Sequence, residues 1–407
     1  MNRWRAVASF LALQRNSSLL LAALFLALTG ERLWLNFAPK YLETLGAGVA
    51  IIGIFDALQT FLGAIYAYPG GWLTDRWGHR RSLLFFNAIS LAGYLLAVIW
   101  QHWLALLLGS VLFLAWGGLS LPATFTVVAT SLSSKQHTMG IGVQSLVRRV
   151  PMMLGPLAGG WLVTRFGWIE GIQYGLRGCV LLTLTTTLFH WFMVDPNQTV
   201  TCSASKDTAN FIGVVRSFSP TLRELLVSDI LIRFCERIPY AFVVLWAINQ
   251  GGISAQQFGI LVTFEMVAAM LCYVPVAHLA DKHGRRPFVL ITFVFFTCFP
   301  LALLLANDFA GLAVAFVVRG LKEFGEPARK ALIISEAPRK LQARTFGAYY
   351  LIRDCVVTLG SLVGAWLWSQ SPQTNFIGAA LCGALGTAWF WWFVYRQKQN
   401  ECPSSVA

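Results

Sequence analysis

Gly71-Trp72-Leu73-Thr74-Asp75-Arg76-Trp77-Gly78-His79-Arg80-Arg81 has a degenerate echo about two hundred residues later, in Leu279-Ala280-Asp281-Lys282-His283-Gly284-Arg285-Arg286. Each copy is a short basic loop between two long apolar stretches. Working outward, the chain repeats wherever it carries unusual residues. Glu31-Arg32 is matched by Glu236-Arg237, Pro122-Ala123 by Pro327-Ala328, and Arg148 by Arg353, all at a spacing of 205. Gly155, Gly159 and Trp161 answer Gly360, Gly364 and Trp366 at the same spacing, while Gly53 and Gln59 answer Gly259 and Glu265 at 206. Apolar composition aligns leucines by chance, but not these polar, glycine and proline positions. The chain is therefore a duplication, the pattern of membrane carriers built from structural repeats.

The 407 residues are 57% hydrophobic and only 12% charged, against about a quarter charged in a water-soluble domain. The apolar residues fall into twelve runs, each of the length that crosses roughly 30 Å of hydrocarbon as a helix: 18–39, 50–72, 82–100, 104–132, 139–165, 172–194, 225–249, 255–278, 288–306, 310–336, 343–368 and 375–395. These are spans 1 to 12 below. Helices satisfy their own backbone in lipid, so the expected fold is all-α and integral to the membrane. It has two pseudo-symmetric six-helix halves: 1–194, a polar Ser/Thr-rich linker over 195–223, and 224–407.

The net charge of +13 does not point to nucleic acid, because its placement is topological. Arg3, Arg5, Arg15, Arg76, Arg80 and Arg81 lie on one side, whereas the opposite loops hold only Lys40 and Arg165. Such a bias puts both termini in the cytoplasm and the protein in the cell membrane; a monomer is the expected state. Eight scattered cysteines show no CxxC pair, and no metal-ligand spacing or cofactor motif is present.

The loop Gly71, Asp75, Arg76, Gly78, Arg80 resembles the signature loop of the major facilitator superfamily, and Asp281, Gly284 and Arg286 stand where that family places the second copy. The resemblance covers essentially the whole chain and implies alternating access, with the loop aspartate and arginines locking one state. Span 5 carries Gly142, Gly155, Pro156, Gly159 and Gly160, which resemble the antiporter motif of the family's drug/proton exporters, with Pro151 in place of one glycine. Those exporters usually carry an arginine in span 4. None occurs here; Arg319 in span 10 is the counterpart of Leu114.

Charges inside a bilayer are expensive, about 2.5–3.5 kcal/mol each on insertion scales, so they face a wet cavity or one another. Proton coupling needs a carboxylate at depth, and Glu31, Glu326, Glu236 and Glu323 are the candidates. Arg32, Arg148, Arg149, Arg233, Arg319, Lys322 and Arg353, with Trp116, are the candidates for holding substrate, since guanidinium groups bind anions in a fork. In span 10 the i,i+4 spacings predict Arg319–Glu323, Lys322–Glu326 and Glu326–Lys330 pairs on one continuous helix. The histidines fall in loops or at helix ends, no nucleophile–base arrangement is apparent, and there is no ATP-binding loop. An enzyme or receptor is thus disfavoured. The favoured expectation is a proton-driven exporter of a small amphipathic or anionic organic molecule; the alternative is uptake of an organic anion by the same fold.

Overall fold

The computed structural model describes residues 15–130, 137–193, 211–338 and 341–396. The termini and most of the expected linker lie outside the described residues, as do the side chains of Asp75, Asp281 and positions 118–147. Among the described residues the chain is helical, with no strand.

Each span is a helix or a broken helix. Span 1 runs Arg15–Trp34, then a 3₁₀ turn Leu35–Phe37, then Ala38–Thr44. Pro39 opens that last piece, where its missing N–H is harmless. Spans 2 to 6 are Val49–Trp77, His79–Ile99, Trp103–Thr130, His137–Phe166 and Trp168–Trp191. Within the expected linker lies a short helix, Phe211–Arg216. Span 7 starts at Pro220–Tyr240, capped by the Ser219 hydroxyl, and continues through Phe242–Leu245 into a π-helical turn Trp246–Gln250. Spans 8 and 9 are Ala255–His283 and Arg286–Leu305; spans 11 and 12 are Gln342–Gln370 and Pro372–Trp389, the last extended to Arg396 by a π-helical stretch. Seven of the described helices are by themselves long and apolar enough to cross a membrane.

Span 10 corrects an expectation. It is two helices, Phe309–Leu321 and Glu326–Glu336, parted by a turn at Lys322–Gly325. Pro327 has no N–H to give the carbonyl of residue 323, so it ends one helix and starts the next. At the same turn Gly325 comes so close to span 9 that a Cβ there would lie 2.3 Å from the Phe288 carbonyl oxygen. Across the break the i,i+4 register is lost: Lys322 pairs with Glu236 and Glu265, while the predicted Glu326–Lys330 pair stands at 3.5 Å.

The duplication is repeated in the packing. Span 1 packs against spans 5 and 6, span 3 against spans 4 and 6; likewise span 7 packs against spans 11 and 12, span 9 against spans 10 and 12. Matched glycines make the matched contacts. A Cβ on Gly155 or Gly159 would sit 2.4 Å from Arg32 Cβ or 1.7 Å from the Leu33 carbonyl oxygen; on Gly360 or Gly364 it would sit 3.3 Å from Arg237 Cβ or 2.1 Å from the Ile238 carbonyl oxygen. Both loop glycines, Gly78 and Gly284, adopt left-handed φ of 81° and 90°, a conformation a side chain would strain.

Two compact units result, and neither is one half of the sequence. The first comprises residues 1–47, 61–203 and 254–263; the second comprises 48–60, 204–253 and 264–407. The beginnings of spans 2 and 8 thus cross over. In the second unit Gly53 lies against Ser361 and Ala365; in the first, Gly259 lies against Pro156 and Leu157.

Gly159→Ala is expected to prevent span 5 from seating on span 1, because its methyl overlaps the Leu33 carbonyl. Gly48→Ala, at a position open to space, is the control. The check is thermal unfolding of the two purified variants, in which Gly159→Ala should lose at least about 2 kcal/mol, the scale of an overpacked contact.

Candidate functional site

In the first unit a small polar pocket opens among spans 1, 3, 4 and 6. Its lining includes Glu31, Asn87, Ser90, Tyr94, Phe113 and Trp116. The aromatic side is ordered by ring packing: Phe113 stacks on Tyr94 with centroids 4.9 Å apart and meets Trp34 edge-on at 5.2 Å. The polar side is ordered by one chain of hydrogen bonds. Trp116 Nε1 donates to Asn87 Oδ1 at 2.7 Å. An indole nitrogen only donates, so this bond fixes the amide with its NH₂ turned the other way, towards His190 Nδ1 at 2.9 Å. Nδ1 then accepts, and the proton of a neutral ring sits on Nε2. His190 is at the end of its helix, as the sequence reading placed it, but it is wholly buried and part of the pocket's support. Nothing in the spacing of residues 87, 116 and 190 pointed to this.

Glu31 lines this pocket, with Arg32 Nη2 3.9 Å away. Arg32 and Arg148 each bury an Nε that has no hydrogen-bond partner. Gly155 and Gly159 hold span 5 against span 1 at Arg32, and Gly160 packs against Ala255. Gly142 lies on the described helix backbone, but its surroundings fall outside the described residues.

The second unit holds the charged candidates in a different way: they close on one another. Arg329, 1% exposed, donates to Asp229 and, at 2.6 and 3.0 Å, to both oxygens of Glu326. Arg233 bonds Glu236 at 2.7 Å and Glu326 at 3.3 Å. Lys322 reaches Glu236 at 2.9 Å and Glu265 at 3.5 Å, and Arg319 reaches Glu265 at 3.3 Å. Arg353 bonds its neighbour Asp354 at 2.7 Å and Asp229 at 3.5 Å. Arg237 meets Asp56 at 3.1 Å, and Asp56 also accepts from the Ser361 hydroxyl. Asp229, Asp56 and Glu265 pair with residues on other spans, which the sequence could not assign. Glu323 lies in the turn that splits span 10.

The loop residues are placed in part. Arg76 lies over the Trp72 ring and Arg80 over the Trp191 ring, each at 5.3 Å. Arg286 approaches Glu336 at 3.8 Å and donates to the Val394 carbonyl. The side chains of Asp75 and Asp281 and the environment of Gly71 lie outside the described residues.

The sequence also matches a family profile: that of the Major Facilitator Superfamily fits residues 19–251 and again 225–407. The chain belongs to the major facilitator superfamily. It is a multi-pass membrane transporter, not an enzyme. Within the superfamily, Multidrug resistance protein MdtG of Citrobacter koseri is 25% identical over 366 residues, covering 86% of this chain and 88% of its own length. MdtG of Serratia proteamaculans is 25% identical over 389 residues, 92% of each chain. Among solved structures, a mutant of the nucleoside transporter NupG superposes with a TM-score of 0.77 at 15% identity, over 92% of this chain and 98% of that one. An inward-facing, unoccupied bacterial homologue of the lysosomal transporter Spinster gives 0.72 at 14% identity, over 97% of this chain and 100% of that one. At such identities the two structures establish the superfamily fold alone.

Proposed function

We propose that the chain is a proton-driven exporter that takes small amphipathic organic molecules into the pocket of the first unit, with Glu31 as the carboxylate that gains and loses the proton. The observation that carries this reading is the contrast between the two units. Glu31 lines a pocket with aromatic walls and has only a loose partner in Arg32. Glu236 and Glu326 are each bonded to two or more cations. Protonating either would break two or more close ion pairs, whereas protonating Glu31 gives up one contact of 3.9 Å. Export, not uptake, is favoured by the likeness to multidrug resistance proteins over most of the chain.

In this reading the protein works as a monomer in the cell membrane, with termini and basic loops in the cytoplasm and halves 1–194 and 224–407 joined by the linker 195–223. Cargo and proton compete for the first unit in alternation. The test is transport of a panel of fluorescent amphiphiles in proteoliposomes under an imposed pH gradient. Accumulation that ignores the gradient for every dye it moves overturns the coupling.

The loop between spans 2 and 3 is the cytoplasmic lock. An acidic residue has no topological use among Arg76, Arg80 and Arg81, so Asp75 serves the conformational cycle. Asp75→Asn is expected to slow turnover about tenfold, the scale of one charge-assisted hydrogen bond of roughly 1.5 kcal/mol, with unchanged yield of folded protein. Equal turnover in proteoliposomes would reduce the loop to a topology signal.

A further inference from the structure

The repeat brings out a substitution of charge between the units. Arg237 and Arg32 are counterparts, each packed against a matched glycine. Arg237 holds Asp56, but the position equivalent to Asp56 at the spacing of 206 is Val262, a buried hydrocarbon. Arg353 and Arg148 are also counterparts. Arg353 holds Asp354 and Asp229, whose equivalents at the spacing of 205 are Arg149 and Leu24. Each arginine of the first unit has therefore kept its place while every carboxylate that serves its twin has been replaced.

The spans packed against spans 1 and 5 supply little of the missing charge. Spans 3, 4 and 5 contain no aspartate or glutamate, and span 6 contains only Glu170, in its first turn. Glu31 is 3.9 Å from Arg32. The Nε of Arg32 and that of Arg148 are each buried without an acceptor.

We propose that Arg32 and Arg148 form an anion site: a carboxylate, sulfonate or phosphonate of the cargo occupies the place of the lost counter-ions, and its apolar part lies against Phe113, Tyr94 and Trp116. This rests on the first unit being the cargo site, and it names the class of cargo. A guanidinium favours such a group because its paired N–H donors match two anionic oxygens. In the second unit Arg233 also buries an Nε without an acceptor, but its other nitrogens hold Glu236 and Glu326, and Arg237, Arg319, Arg329 and Arg353 hold carboxylates too.

The test is thermal unfolding of the purified protein in neutral detergent with 2-naphthalenesulfonate, its neutral analogue 2-naphthol, or the cation tetraphenylphosphonium. The sulfonate should stabilise saturably and the other two should not. Arg32→Gln and Arg148→Gln should each weaken the sulfonate's apparent affinity about tenfold or more, Arg148→Lys should weaken it less, and Arg177→Gln, an exposed charge on span 6, should leave it unchanged. Val262→Asp restores the twin's counter-ion; it should raise the melting temperature without ligand and abolish the response to sulfonate. Should the glutamine variants not fold, Arg148→Lys and the comparison of the three probes decide the matter. Stabilisation by the cation alone, or by the sulfonate equally in Arg148→Lys, Arg148→Gln and the unmodified protein, overturns the site. Since no gradient is involved, a protein that binds the sulfonate yet ignores pH in proteoliposomes loses the coupling and keeps the anion site.

Discussion

Arg329→Met is expected to destabilise the folded protein by about 3–5 kcal/mol, the loss found when one partner of a buried ion pair is removed. Arg329 is nearly inaccessible and is the hub between Asp229 and Glu326. Methionine fills a similar volume, so the change isolates charge from packing. After it, Asp229 keeps Arg353 at 3.5 Å, Arg233 at 3.9 Å and the Tyr349 hydroxyl at 3.1 Å, and Glu326 keeps Arg233 and Lys330. These partners soften the loss without abolishing it, because Arg233, the other bridge between the two carboxylates, reaches Asp229 only at 3.9 Å. The measurement is thermal unfolding in detergent. The double variant Asp229→Leu with Arg329→Met should recover part of the deficit, since replacing a buried pair by apolar residues is often neutral. A single variant as stable as the parent would show that water, not Arg329, neutralises the two acids.

Glu31→Gln is expected to separate binding from work. Glutamine keeps the shape and one hydrogen-bonding oxygen of a protonated glutamate, so cargo should still bind and still equilibrate across the bilayer. The unmodified carrier, moving one proton per cargo, can draw about 1.4 kcal/mol from each unit of pH difference, roughly a tenfold concentration ratio. The variant should draw none, and its accumulation ratio should fall to one at any imposed gradient. The matching change at Glu326 should act through stability, because that carboxylate is committed to Arg329 and Arg233. Retained accumulation in Glu31→Gln would move the coupling role to another carboxylate.

What the sequence disclosed and what it withheld divide along one physical line. Duplication, span count and the loop glycines were legible because they depend on local chemistry at fixed spacing, and the paired contacts of Gly159 and Gly364 bear the alignment out at the atomic level. Pairings between spans were not. Lys322 read as the partner of Glu326 on a continuous helix, yet it lies in the break at Lys322–Gly325 and reaches Glu236 of span 7 and Glu265 of span 8. Adjacent residues diverge by about 100° around a helix, yet the long Arg353 side chain folds back to its neighbour Asp354. The bonds from Asn87 to Trp116 and His190 join residues far apart in sequence and leave no trace in periodicity. The charge difference between Asp56 and Val262 was present in the sequence all along; it acquired meaning only once Arg237 was seen to hold the aspartate.

The crossing of spans 2 and 8 imposes an order on synthesis. When the first six spans have been made, the Pro156–Gly160 face of span 5 still lacks Ala255 and Gly259, which belong to its own compact unit. Span 2 waits longer. The Asp56 carboxylate reaches the membrane more than three hundred residues before Ser361 exists to donate to it, and Arg237 arrives only in between. Neither unit can close while the ribosome is working on the first half. A nascent chain therefore carries an unpartnered acid and an uncovered glycine face through most of its own translation. Chaperone or insertase engagement should be longest at these two surfaces, and fragments corresponding to the two halves should become protease-resistant only when co-expressed.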